Sequence, residues 1–163
     1  MPPLPETLLP YEGNDEVVLD ELWTFVQSKA NTYWVWLALS RKNLQVIAFH
    51  VGGRDLKSAQ QLWEQVPSPF WEQVPSPYRE RLVFTDAYPV YERLFAAKPW
   101  QHCIGKKSEG FTSVIEGANN TLRQCVSYLG RKTAAFARSH FWLATRLHWF
   151  LHHWNQRQAQ KFL

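Results

Sequence analysis

Residues 17–26, VVLDELWTFV, form a nearly unbroken apolar run rich in β-branched and aromatic side chains, interrupted by Asp20 and Glu21. Such a run has no polar face to turn toward water, so it reads as a strand covered on both sides, inside a sheet with layers packed above and below. Its two carboxylates then stand out. An ionised group inside that strand is costly unless it is paired or binds a metal ion. Because strand side chains alternate, Asp20 and Glu21 point to opposite faces, and only one of them can serve a given site.

The elements around this run follow from periodicity and turn residues. YWVWLALS (33–40) and LQVIAFHV (44–51) are two further strands separated by Arg41, Lys42 and Asn43, which suits a tight antiparallel turn and a three-strand meander. Gly52 and Gly53 end it, and residues 57–66 carry apolar side chains at 59, 62, 63 and 66, a helical spacing. WEQVPSPF (63–70) is repeated at once as WEQVPSPY (71–78). Two copies cannot build a solenoid, and the Pro-Ser-Pro steps break helices, so the duplication is assigned to an enlarged surface loop. RLVFT (81–85) is a short strand running into Asp86, a helix is expected over 89–97, and QHCIG (101–105) suits a fifth strand. From Ser113 a helix presents Ile115, Ala118, Leu122, Val126 and Leu129 as one stripe, with Gly130 placed to cap it and Glu116, Asn119, Asn120 and Arg123 facing the other way. Residues 139–155 read as a buried or partner-facing helix. The layout is mixed α/β with an antiparallel start, in one domain over residues 16–158 between an N-terminal arm at 1–15, rich in Pro, and a tail at 159–163.

Charge divides the chain unevenly. Residues 1–97 hold 8 basic and 12 acidic side chains, whereas residues 98–163 hold 10 and 2. A cationic C-terminal third suits a polyanionic partner, although a solvated basic surface has the same composition. A composition 45% hydrophobic and 15% aromatic excludes a disordered chain. No apolar run is long enough to span a membrane and the N-terminus lacks the pattern of a signal peptide, so a cytoplasmic protein is expected. Cys103 and Cys125 stand apart from any Cys/His cluster and are expected to be buried thiols, not zinc ligands or a disulfide. His148 and His152 have the i, i+4 spacing of paired ligands but no evident third one, and are not read as a metal site.

Phosphoryl transfer between nucleic-acid strands calls for hard divalent cations held by carboxylates, so acidic residues at the ends of central elements are the candidates. Asp86 follows a strand, where open α/β sheets present functional groups, yet an Asp before a helix also serves as an N-cap. Glu116 likewise fits a Ser113-x-x-Glu116 capping box. These residues alone leave both readings open.

LDELWTFV (19–26), FTDAYPVY (84–91), HCIGK (102–106), IEGANNTLRQ (115–124) and RKTAAFARS (131–139), taken in order, resemble the successive blocks of the insertion-sequence-one family of DDE transposases. The resemblance covers roughly residues 5–156. It implies a ribonuclease-H-like fold, a five-stranded mixed sheet flanked by helices, and it maps the three metal-binding and catalytic carboxylates onto Asp20, Asp86 and Glu116, with two Mg²⁺ ions (or Mn²⁺ in their place). It also puts Arg123, seven positions beyond Glu116 and so on the same helix face, near DNA phosphate, and His102 in the block before the third acid, where it contacts DNA or orients a carboxylate. Lys106 and Lys107 read as phosphate contacts or, equally, as an exposed basic loop. Gly117 departs from the family, which usually carries Arg or another bulky residue there.

The resemblance further implies that this chain corresponds to the second reading frame of the element, the catalytic part that follows a zinc-binding, helix-turn-helix part. The expected activity is metal-dependent cleavage and strand transfer on double-stranded DNA at element ends, within a self-associated transposition complex and without a membrane. Two alternatives are an inactive remnant that acts only as a DNA-binding or dimerisation module, and a nuclease that hydrolyses without joining.

Overall fold

A computed structural model describes residues 2–10, 15–66, 81–105, 113–130 and 135–162. Strands β1 (Val17–Val26), β2 (Ser28–Ser40) and β3 (Val46–Gly52) come first, then helix α1 (Leu56–Gln65), β4 (Val83–Thr85), α2 (Pro89–Leu94), β5 (His102–Ile104), α3 (Ser113–Cys125) and α4 (His140–Ala159). They build one five-stranded sheet in the order β3-β2-β1-β4-β5. The first three strands form the expected antiparallel meander, while β4 runs parallel to β1 and β5 parallel to β4.

β1 is central, and its alternation sorts the core into two layers. Val18, Leu22 and Val26 pack with Ile115, Leu122, Leu143 and Leu147 of α3 and α4. Val17 and Leu19 pack on the other face with Trp36, Leu62 and Tyr91 of β2, α1 and α2. This two-sided burial is the reason that the run reads apolar at almost every position. In β3 the register slips by one: Ala38 pairs with Ala48 and Leu39 with Val46, so Ile47 is extra and joins Ala48 on the α1 face. A bulge of this kind lets a strand change its inward residue without ending the ladder.

Several expectations need correction. β2 starts at Ser28, because residues 28–32 continue the hairpin as an exposed polar extension that burial does not mark, with Gln27 taking a positive φ of 63° at the turn. α3 stops at Cys125; Val126 and Leu129 stay buried through a 3-10 turn at Ser127–Leu129, and Gly130, at φ −65°, is not a left-handed cap. Cys125 is exposed at that helix end and Cys103 half-buried on the edge strand, so neither is the expected buried thiol. The arm was expected to hold no regular element, yet Leu4–Thr7 form a 3-10 turn with Leu4 buried in the core. Trp63, Glu64 and Gln65 of the first repeat belong to α1, Val66 is its buried C-cap, and residues 67–78 of the duplication lie outside the described residues. α4 buries Leu143, Leu147 and Leu151 and leaves Phe141, Trp142 and Trp149 exposed. No helix among the described residues is long and apolar enough to cross a membrane.

Candidate active site

The pairing of β1 with β4 brings two of the expected carboxylates together. Val17 pairs with Val83 and Val18 with Phe84, so continuing that register by two residues sets Asp86, at the end of β4, level with Asp20 in β1. Asp20 lies between Val18 and Leu22 on the face covered by α3. Its Oδ1 accepts a bond from the Glu21 amide (2.9 Å) and its Oδ2 one from Asn119 Nδ2 (2.6 Å). Burial, then the charge of Glu21, and further on that of Asp86, push the Asp20 carboxyl from its ordinary 3.8 up to about 7, against the pull of its hydrogen bonds. Beside it the Oδ1 of Asn119 is buried and has no hydrogen-bond partner among the described residues.

Asp86 is exposed and accepts from the Tyr88 amide (3.0 Å), an Asx turn that leads into α2; the helix cap itself is Tyr88. Thr85, at the end of β4, donates its hydroxyl proton to the Asp86 carbonyl (2.7 Å). That hydroxyl has one proton to give, so the 2.7 Å contact with His102 Nε2 must have the imidazole N–H as donor. His102 also stacks on Phe95, with ring centroids 5.2 Å apart, and burial lowers its pKa. It thus props the Asp86 turn through Thr85.

Glu116 is exposed on the first turn of α3, three residues before Asn119. Residues at that spacing sit about 5–6 Å apart at Cβ, so Glu116 and Asn119 share a face. Among the described residues no group of three His, Cys, Asp or Glu side chains gathers at metal-binding spacing. Arg123, two turns further along α3, donates to the carbonyls of Leu129 (2.8 Å) and Trp23 (3.3 Å), which ties the end of α3 to β1. Lys106 and Lys107 lie outside the described residues.

On the opposite face, directly behind Asp20, Glu21 is buried. Its Oε1 accepts from Arg54 Nε (3.0 Å) and Nη2 (2.7 Å), and its Oε2 from the Tyr91 hydroxyl (2.8 Å). Burial raises the pKa of Glu21, while the bonds from Arg54 and Tyr91 hold it down. Sequence reasoning set Glu21 aside and missed Arg54, Tyr91 and the contact between Asn119 and Asp20. For Asn119 a signal existed, its i+3 spacing from Glu116; for Arg54 and Tyr91 none did, since their roles depend on pairing across the sheet.

A family model described as IS1 transposase matches residues 16–158. The insertion element IS1 2 protein InsB of Escherichia coli K12 is 32% identical over 130 residues, covering 78% of this chain and 70% of that protein. The insertion element iso-IS1n protein InsB of Shigella dysenteriae is 34% identical over 121 residues, covering 74% and 82%.

Proposed function

Because the chain belongs to the IS1 transposase family, we propose that it is the part of a transposase that cuts and joins DNA strands, using Asp20, Asp86 and Glu116 as metal-binding carboxylates. The observation that carries this reading is the juxtaposition of Asp20 and Asp86 across β1 and β4, with the unpaired Asn119 oxygen beside them. The half-buried carboxylate of Asp20, the exposed one of Asp86 and the amide oxygen of Asn119 are hard oxygen donors, which suits Mg²⁺ or Mn²⁺. Glu116, exposed one turn before Asn119 on the same face of α3, is the third proposed ligand. The sheet order, with a meander β3-β2-β1 followed by parallel β4 and β5, supports a ribonuclease-H-like assignment.

Asp20, Asp86 and Glu116 would hold divalent ions there, whose positive charge would favour the attacking and leaving oxygens of a phosphoryl transfer. The chain's own part is to hold that charge in place. Asn119 orients Asp20, the His102–Thr85 pair and the Tyr88 amide fix the Asp86 turn, and β1 and β4 keep the two at a set spacing. Water first cuts a phosphodiester and frees a 3′-OH; that hydroxyl then attacks a phosphorus of target DNA, exchanging one P–O bond for another. No covalent bond to the protein is required. The basic C-terminal third, with 10 basic and 2 acidic residues, suits the double-stranded DNA substrate, and the complex is expected to contain more than one copy.

The test is strand transfer of an element-end duplex by the protein joined to its upstream part, in Mg²⁺. Asp20→Asn and Asp86→Asn are expected to lower the rate by roughly a thousandfold or more. Wild-type rates in either variant overturn the assignment. A second reading, a DNA-binding or dimerisation remnant, is favoured by the exposure of Glu116 and by the lack, among the described residues, of three acidic side chains gathered at metal-binding spacing. DNA binding that persists in EDTA, with no cleavage under any divalent ion, selects it.

A further inference from the structure

Glu21 presents a physical problem that the function above does not use. Its side chain is 2% exposed, immediately behind Asp20, whereas its partner Arg54 is 43% exposed. Burying a carboxylate against a half-exposed cation contributes little net stability, and an apolar pair of the same volume commonly does as well. The arrangement around Arg54 shows what else the pair does. The guanidinium lies 4.4 Å from the Trp34 ring centroid and 4.3 Å from that of Tyr88, between the two rings. The Tyr88 hydroxyl donates to the Arg54 carbonyl (3.1 Å), and the Tyr88 amide donates to Asp86 Oδ1 (3.0 Å). One residue, Tyr88, therefore grips Arg54 with its ring and hydroxyl and Asp86 with its backbone. The loop carrying Arg54 is itself pinned, because Trp36 Nε1 donates to the Gly53 carbonyl (2.8 Å) and Asp55 caps α1.

We propose that Arg54 is a positioning residue: by forking onto Glu21 and stacking on Tyr88, it clamps the turn that carries Asp86 onto β1 at the level of Asp20. The inference rests on the reading of Asp20 and Asp86 as metal carboxylates. A guanidinium is needed because only a planar fork bonds a carboxylate through two nitrogens while presenting both faces to rings; a lysine ammonium does neither.

The full chain is compared with R54K, R54M and R157M, the last removing a cation from the exposed side of α4, across the sheet. Amide hydrogen exchange is read first, on metal-free protein below its melting temperature, and Mn²⁺ titration second. Exchange at the Tyr88 amide is expected to rise about tenfold in R54K and R54M, while amides of β2, β3 and α4 keep their protection. Mn²⁺ is expected to bind about 10- to 100-fold more weakly in both, as for other residues that orient ligands, with R157M unchanged. If Arg54 acts only as a nearby charge, R54M binds Mn²⁺ more tightly and R54K binds it normally. If it acts only in stability, exchange rises by one factor throughout. Either result overturns the proposal, and R54K, which keeps the charge, guards against an unfolded R54M. Should Asp20→Asn and Asp86→Asn bind Mn²⁺ as well as the unaltered chain does, the metal reading fails, and exchange at Tyr88 still decides the role of Arg54.

Discussion

Asp20 shows how one side chain records the demands of its place. Its neighbours along the strand face are Val18 and Leu22, both buried, and on the reverse face stands another carboxylate. Desolvation first and the Glu21 charge second raise its carboxyl to about 7 from an ordinary value of 3.8. An acid whose folded pKa is raised binds its proton more tightly in the folded than in the unfolded chain. Below about pH 4 both states are protonated and nothing is lost; between about pH 4 and 7 the folded state holds more proton, so stability falls as pH rises; above about pH 7 the full penalty is present. Asp20→Asn removes the titration and keeps the shape, and rotation of the Asn119 amide turns its unpaired oxygen toward the new amide. The melting temperature of the metal-free wild type, minus that of Asp20→Asn, is therefore expected to decline from pH 4 to pH 7 and then level off. A difference that is flat over this range means that Asp20 ionises normally in the folded chain.

At the scale of elements, α3 brings Asn119 to Asp20 and carries Glu116 one turn earlier, and it contains Gly117, which is exposed and whose absent Cβ would meet nothing within 4 Å among the described residues. A glycine inside a helix costs up to about 1 kcal/mol relative to alanine, through backbone entropy that the unfolded chain retains. Gly117→Ala is expected to raise the urea midpoint by an amount worth roughly 0.5–1 kcal/mol, with an unchanged slope. No gain means that backbone entropy at Gly117 does not limit the stability of α3. Most elements were legible because burial writes itself as periodicity: β1 matches its expected limits residue for residue, and the i, i+3, i+4 stripe of α3 is buried along its length. What burial does not write was lost. The exposed start of β2 carries no apolar signal, and the bulge at Ile47 is decided by the ladder with β2. The acids Asp20 and Asp86 stood out as odd residues in or beside apolar runs, whereas Arg54 and Asn119 are ordinary polar residues until a neighbour from another element reaches them.

For the molecule as a whole, the two chain ends meet over β3. Asn155 of α4 accepts from the Val46 amide (2.7 Å) through Oδ1 and donates through Nδ2 to the Val46 carbonyl (2.8 Å) and the Thr7 hydroxyl (2.8 Å). Gln45 continues the link, donating to the Thr7 and Asn155 carbonyls and accepting from the Leu9 amide. Asn155 is fully buried, so these bonds have no solvent to replace them. They join the first ten residues and the last helix to the third strand, and they hold α4 against the edge of the sheet. Asn155→Ala leaves both the amide and the carbonyl of Val46 unpaired in the interior, and each such group costs about 1–3 kcal/mol. Against a total stability of about 5–15 kcal/mol, a combined loss of roughly 3 kcal/mol is large. Chemical denaturation is expected to show that loss as a lower midpoint with the same slope, and Thr7→Ala, which removes one hydroxyl, to cost about 1 kcal/mol or less. If Asn155→Ala costs no more than Thr7→Ala, the seam over β3 is held by the apolar contacts of Leu4, Leu147 and Leu151, and the polar clamp only sets its register.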